Sequence, residues 1–587
     1  MSPETLKKNS GGNISEGWVF PVALGAIFAC GTNAASSANL PLDEPYFYAQ
    51  CLLFAVLFLL IFRWGYALLE KIGKRTVSNR ESQKKGILQS LAFEYQASWK
   101  ARLRDALRIF ITWLPYLILM YPGVLYWDTG DQVAQFFGIS AFGQEPGQIW
   151  DHHPFFDTYL YSGFIWLGRT VFGSYNVGIF LYSIVQYAFV TITIACWMRY
   201  LKEKGLGRLP LKACTLFFCF FPIFPIMFAS MSKDITHAAF FLAWVLLFLR
   251  LVDSKLELFK NPKFLVEFLI ISLCASMSKK MGMYIIVFSL LVLILGKFKA
   301  LFKAIAVAVC VFLFVVISVA LPKYFYPRAN IVPGGAQAAF VMPIELLGRA
   351  AYAYPEDISD SERASVDSFL VYSWDQISNQ YNPYIADPVT GYGLRDGGST
   401  ADFLKTWLKV GMRHPLTYVN GFFSLESGWI TFSGTNKIRR PEKPYKQYPV
   451  QIDPTVTTNA NKDTFGKLVP AKSENWAQRI VSGIVKTLKT TPVINVLCYV
   501  AVWTSMIPTF VLYVLWRRRG CNEGGSLFRF APYLVSVASL FVYPISLQVE
   551  GDKADPSRYM FHTLLLAPIA FGMLCFSKKK DSVKKYV

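Results

Sequence analysis

Residues 109–132, IFITWLPYLILMYPGVLYWDTGDQ, are apolar up to Tyr126 and then turn abruptly to carboxylates at Asp128 and Asp131. Such a run reads as a membrane-spanning helix that delivers its acidic side chains to a membrane surface. Further on comes Asp151-His152-His153-Pro154, before the chain re-enters apolar sequence, and 127–155 holds no Lys or Arg. An acidic loop between two membrane segments is where an enzyme acting on a lipid substrate would keep its base.

Working outward, the same apolar pattern recurs along the 587 residues, of which 53% are hydrophobic and 17% charged. Runs of roughly 16–25 apolar residues suit helices that cross a bilayer and exclude a barrel. The expected fold is an all-α polytopic membrane protein. About twelve spans are read at 18–34, 47–69, 107–126, 174–198, 209–229, 235–251, 264–278, 281–296, 300–321, 493–516, 529–547 and 557–577.

The net charge of +21 is distributed as a topology signal. Basic clusters fall at 71–104, at Arg199 to Arg208, at Lys255 to Lys263, at Arg517 to Arg519 and at Lys578 to Lys580. Placing all of them in the cytoplasm leaves both termini inside and requires 155–172 to lie along the outer surface instead of spanning. Charges that alternate with spans do not form the single patch a nucleic-acid binder needs, so no nucleic-acid partner is expected. Lys7 and Lys8 before a short apolar stretch also resemble a cleavable signal peptide, although an uncleaved first span is the preferred reading.

Four regions follow: N-terminal spans and a basic loop (1–106), a membrane core (107–321), an extracytoplasmic segment between spans 9 and 10 (322–492), and C-terminal spans with a basic tail (493–587). The third is too long for a structureless loop, and it should fold with a helix from Asp402 to Met412. Of ten cysteines, nine lie in or beside apolar runs and Cys521 in an inner loop, which excludes a disulfide-stabilised outer domain.

If the chain stays helical past Trp127, then Asp128, Asp131, Gln132 and Gln135 share one face. Two carboxylates there can hold a divalent cation such as Mg or Mn, or one can act as general base while the other tunes it. Spacing alone also fits a solvated interfacial helix. A positioning or proton-handling role suits His153 better than a metal site, because no zinc spacing occurs. Lys233 with Asp234, Lys279 with Lys280, and Arg558 with Tyr559 fall at outer span ends, where basic residues run against the usual inner bias. Snorkelling explains any one of them; a lipid phosphate explains all three sites together.

The pattern Tyr121-Pro122-Gly123, Asp128, Gln132, His153-Pro154 with Thr158, Gln186, and Lys233-Asp234 resembles a bacterial multipass family of uncharacterised function. So do Met342-Pro343-Ile344-Glu345 with Gly348-Arg349, the run from Asn382 to Pro388, and Arg558-Tyr559. That family is commonly grouped with the GT-C glycosyltransferases, which use polyprenyl-phosphate sugars. The resemblance covers roughly 105–575 and implies a GT-C-like core, an essential carboxylate at Asp128 and a surface helix behind it. Two departures stand out: Lys279-Lys280-Met281 replaces an Arg-Asn before Gly282, and Phe155 replaces a second Pro after Pro154.

The expected activity is therefore transfer of a sugar from a polyprenyl-phosphate donor to a cell-envelope glycan or lipid acceptor at the outer face of the cell membrane. Asp128, Asp131, Asp151 and His153 are the candidate catalytic residues. Gln132, Lys233, Asp234, Lys279, Lys280, Arg349, Arg558 and Tyr559 are the candidate substrate contacts. No cofactor is required beyond the divalent cation left open above. A transporter or flippase for a lipid-linked glycan, or a glycan polymerase or ligase, is the alternative.

Overall fold

In the computed structural model, residues 17–78, 93–125, 127–140, 143–391, 393–435, 444–446, 476–519, 526–542 and 556–575 are described. Lys7, Lys8, Cys521, Lys578 to Lys580 and the turn before Arg558 lie outside them. The first helices are α1 (Val19–Ser37), α2 (Pro45–Ser78), α3 (Trp99–Leu119), α4 (Trp127–Phe136), α5 (Phe155–Phe172) and α6 (Tyr175–Glu203). Next come α7 (Arg208–Phe220), α8 (Ile223–Phe228), α9 (Lys233–Asp253), α10 (Pro262–Met277), α11 (Lys280–Leu291) and α12 (Ala300–Phe314). The segment expected on the outer side, called the outer segment below, holds α13 (Val341–Ala353), α14 (Asp360–Phe369), α15 (Trp374–Gln380), α16 (Asp387–Thr390), α17 (Thr400–Arg413), α18 (Pro415–Leu425) and α19 (Ser427–Ile430). The chain closes with α20 (Trp476–Thr490), α21 (Ile507–Arg517), α22 (Ser526–Val542) and α23 (Pro556–Leu574).

Among the described residues, five helices are long and apolar enough to cross a membrane: Val19–Ser37, Pro45–Gly73, Tyr175–Glu203, Lys233–Asp253 and Ala300–Ala329. Lys280–Leu295, Leu527–Val542 and Arg558–Leu574 are shorter apolar helices. The run at 209–229 breaks in two, because Pro222 cannot donate a helical hydrogen bond and drives Phe221 to an extended ψ of 108°. The run at 493–516 likewise begins as short 3₁₀ and π-helical turns before α21. All described cysteines are free thiols.

The centre of the bundle is α9, whose apolar stretch is 83% buried. Trp244, Phe241, Phe248 and Leu249 pack it into a single large apolar cluster with α3, α6, α10 and α23. Contacts sort the helix ends into two sets. At one end, Asp253 pairs with Lys204 at 2.6 Å and Arg529 at 3.0 Å, and Arg518 joins Glu70 at 2.8 Å. The opposite end carries every candidate site residue.

That opposite end is tied together by two small parallel ladders. β1 (Val124–Leu125) pairs with β3 (Ser230–Met231), and β2 (Ile149–Asp151) pairs with β4 (Ile331–Pro333). Gly123 permits the first: its φ is +127°, and a Cβ there would come 2.8 Å from Ser183 Oγ and 3.0 Å from the Ala229 carbonyl. Helix α5 spans the residues expected of the surface segment, and its contacts stay at this end. Gly168 and Gly178 bring it against the first turn of α6, and Tyr161 reaches Thr236 one turn into α9. The outer segment has its own apolar cluster around Ile344, Leu347, Phe369, Trp374 and Phe403. Helix α17 takes in the expected 402–412.

Candidate functional site

The β1–β3 ladder runs directly into α4 on one strand and α9 on the other, so it sets Asp128 against Lys233. Lys233 Nζ lies 3.2 Å from Asp128 Oδ2 and 2.6 Å from His153 Nδ1. An ammonium only donates, so Nδ1 accepts and the ring proton sits on Nε2. Arg558, from the first turns of α23, approaches the same Asp128 oxygen at 3.4 Å and Asp234 Oδ2 at 3.9 Å. Lys279 closes the row, 2.8 Å from Asp234 Oδ1 and 3.2 Å from the Tyr559 carbonyl. Tyr559 holds Arg558 through a 2.8 Å hydrogen bond to its hydroxyl.

Burial alone would raise the Asp128 carboxyl, but Lys233 and Arg558 outweigh it and hold it well below the usual carboxylate range. One turn on, burial and the Asp128 charge push Asp131 up to about 6. The two carboxylates on one helix therefore differ in character: Asp128 is a fixed anion, and Asp131 is a base poised near neutrality. Burial and then Lys233 hold His153 well below its ordinary value, so its imidazole is neutral.

Asp151 has a different set of partners. Its Oδ2 meets Lys280 and accepts from Tyr326 Oη at 2.8 Å, while Oδ1 accepts from the Phe155 amide at 3.1 Å. It starts α5 and tethers Lys280, whose side chain is still 49% exposed. Gln132 donates to Thr158 Oγ1 at 3.0 Å and to the Pro154 carbonyl at 3.2 Å, which fixes α4 to α5. Arg349 stands apart from the cluster. It donates to the Ala38 carbonyl at 2.6 Å, Asn39 Oδ1 at 2.8 Å and Tyr381 Oη at 2.7 Å, clasping the outer segment to the α1–α2 turn.

Sequence reading did not single out Asp157, Thr236, Tyr161 or Tyr182. Asp157 is wholly buried on α5, and burial pushes its carboxyl well above the usual range despite Lys233, so it is held neutral. In sequence it looks like an ordinary first-turn acid of a helix. Thr236 Oγ1 bridges Tyr161 Oη and Tyr182 Oη, each at 2.7 Å, and so anchors the turn of α9 that carries Lys233.

Asp128, Asp151 and Asp234 do not fit a divalent cation. Among the described residues no group of three or more His, Cys, Asp or Glu side chains forms a metal cluster, and Asp128 and Asp234 already face lysine and arginine. An ammonium or guanidinium holds Asp128, Asp151 and Asp234 where a metal would need them open.

The fold and site define a multipass-type helical membrane protein with a buried row of alternating cations and carboxylates at one end of its bundle. The chain belongs to DUF6020, a family of unknown function, whose model matches residues 142–546. The matched span takes in Asp151, His153, Lys233, Asp234, Lys279, Lys280 and Arg349, with Asp128 before it and Arg558 after it. No curated protein and no solved structure matches the chain.

Proposed function

We propose that the protein is a GT-C-like membrane glycosyltransferase that moves a sugar from a polyprenyl-phosphate donor to a cell-envelope acceptor. The observation that carries this reading is the gathering of Lys233, Lys279, Lys280 and Arg558 around Asp128, Asp151 and Asp234, from helices far apart in sequence. Such cations favour a phosphate whose negative charge grows as a bond to it breaks. The end rich in Arg199, Lys202, Lys204 and Arg518 is the cytoplasmic one by the positive-inside bias, which puts the site at the outer face of the cell membrane. Twelve spans with both termini cytoplasmic complete this topology.

In this reaction the acceptor hydroxyl attacks the anomeric carbon from the face opposite the phosphate. A new C–O bond forms as the sugar–phosphate bond breaks, and polyprenyl phosphate leaves with the electron pair. Asp131, near neutrality, takes the hydroxyl proton; the ion-paired Asp128 is too weak a base and instead orients the acceptor and the cations. Lys233 and Arg558 shift from carboxylate to phosphate as charge develops there, with Lys279 and Lys280 supporting them.

The test is release of polyprenyl phosphate from a panel of polyprenyl-phosphate sugars by purified protein in lipid, with a crude envelope fraction as acceptor. Wild-type release that is lost in Asp128→Asn supports the reading. Equal release by both proteins removes Asp128 from the mechanism, and no release from any donor defeats the transferase.

A further inference from the structure

Helix α17 (Thr400–Arg413) divides its circumference into three sectors. Phe403, Thr406 and Val410 are buried against the outer segment. Leu404, Leu408 and Met412, spaced four apart, form an exposed apolar stripe at 39%, 54% and 67% exposure. Lys405 and Lys409 follow one position behind that stripe and form an exposed basic edge. Three leucine- or methionine-sized side chains in a row on a folded helix call for a partner, and the flanking lysines state its charge.

The next helix locates this stripe. α18 (Pro415–Leu425) continues from α17, and its Asn420 accepts from the Leu40 amide at 3.0 Å, just past the end of the membrane-crossing helix α1. Deeper still, Ile430 of α19 lies against Gly31, where a Cβ would come 2.7 Å from its Cγ1. The chain from α18 to α19 therefore descends along the end of α1, and α17 joins it at His414. Tyr46 and Tyr48, half-exposed at the start of α2, mark the same level as an aromatic girdle does.

We propose that α17 is an interfacial helix, with Leu404, Leu408 and Met412 inserted among the outer-leaflet acyl chains and Lys405 and Lys409 on anionic lipid phosphates. Amphipathic helices of this make-up lie in the membrane plane, with lysines drawn to anionic headgroups. The inference rests on the membrane-crossing reading of α1 and is independent of the transferase reading. It gives the outer segment a second fixed point besides the clasp at Arg349.

The experiment places a nitroxide on Leu408→Cys, Met412→Cys and Asp402→Cys in the full-length protein, in vesicles of mixed zwitterionic and anionic phospholipid. Signal from the parent protein labelled in parallel is subtracted. Oxygen partitions into lipid and a nickel chelate stays in water. The expected result is an oxygen-to-nickel accessibility ratio several-fold higher at 408 and 412 than at 402, falling when Lys405→Gln and Lys409→Gln are combined. Nickel accessibility at 408 equal to that at 402 would overturn the proposal. Shielding from both reagents that disappears when protein is diluted into excess lipid would overturn it too, by assigning the stripe to a second copy of the chain. Donor cleavage is not the readout, so an inactive protein leaves this test intact.

Discussion

Lys233 Nζ stands 3.2 Å from Asp128 Oδ2, although 105 positions separate the two residues along the chain. The contact exists because two-residue strands immediately before α4 and α9 pair in parallel, which aligns the first turns of both helices. Lys233 also donates to His153, so a single ammonium organises a carboxylate and a neutral imidazole.

Replacing Lys233 with Met therefore removes one of two cations from Asp128 and the donor from His153. Loss of a charge-assisted contact of about 1.5–3 kcal/mol corresponds to roughly 10- to 100-fold in donor affinity. Titration of a fluorescent polyprenyl phosphate against both proteins checks it. Unchanged affinity would separate Lys233 from the phosphate.

Asp131 should impose a limb on the pH–rate profile. Its carboxyl is pushed up to about 6, so a base role requires activity to rise as pH passes through that value, and Asp131→Asn should abolish the limb. Linkage gives a second consequence of opposite sense. A folded-state value above the ordinary 3.8 means the folded protein favours the protonated acid, so ionisation costs stability. That cost develops between about pH 4 and pH 6 and is complete above. Asp131→Asn should accordingly melt higher than the parent at pH 8, with the gap narrowing at pH 4.5.

Thr236→Val keeps the shape of the side chain but strips the hydroxyl shared by Tyr161 and Tyr182. Tyr182 retains Gln186 at 2.8 Å, whereas Tyr161 loses its 2.7 Å partner. With Asp157 and Tyr182 still beside Tyr161, loss of this one hydrogen bond costs about 0.5–1.5 kcal/mol. A lowered melting temperature is expected for Thr236→Val and near-parental melting for Thr236→Ser.

Gly178 and Gly163 give a paired test of the α5–α6 contact. A Cβ on Gly178 would meet the Phe164 carbonyl at 2.4 Å and Ile165 Cα at 2.6 Å, both backbone atoms, so Gly178→Ala must push α5 away. Overpacking of this kind costs typically about 1–3 kcal/mol. Gly163 meets nothing within 4 Å, so Gly163→Ala gains up to about 1 kcal/mol of helix propensity. Thermal melts that move in the same direction would contradict the packing.

Arg349→Met should loosen the outer segment and spare donor cleavage. Its guanidinium binds the Ala38 carbonyl and Asn39, and neither belongs to the charged row. Limited proteolysis of the intact protein should cut 340–430 faster in the variant. A selective loss of donor affinity instead would return Arg349 to the substrate contacts.

Much of the architecture was legible in the order of residues. Apolar length located α1, α2, α6 and α9, and the helix on which the shared face of Asp128 to Gln135 was conditional is present. The breaks were harder to read. Phe221-Pro222 interrupts a run whose hydropathy stays high across the interruption, because a backbone effect leaves no trace in apolarity. At the site, sequence could bring Asp128, Lys233, Lys279 and Arg558 to helix ends but could not choose their partners. Pairing depends on strand register and helix rotation, to which no single segment contributes enough. Arg349 shows the same limit from the other side: its motif reads as functional, and only the fold reveals that it grips a turn. Asp157 was invisible because full burial of a first-turn acid has no local signature.

The parallel pairing of β2 with β4 sets Asp151 opposite Pro333. Asp151 also holds Lys280, so the strand at 331–333 and this half-exposed ammonium are fixed through one carboxylate. Segments distant in the chain are thus braced together at one acidic residue.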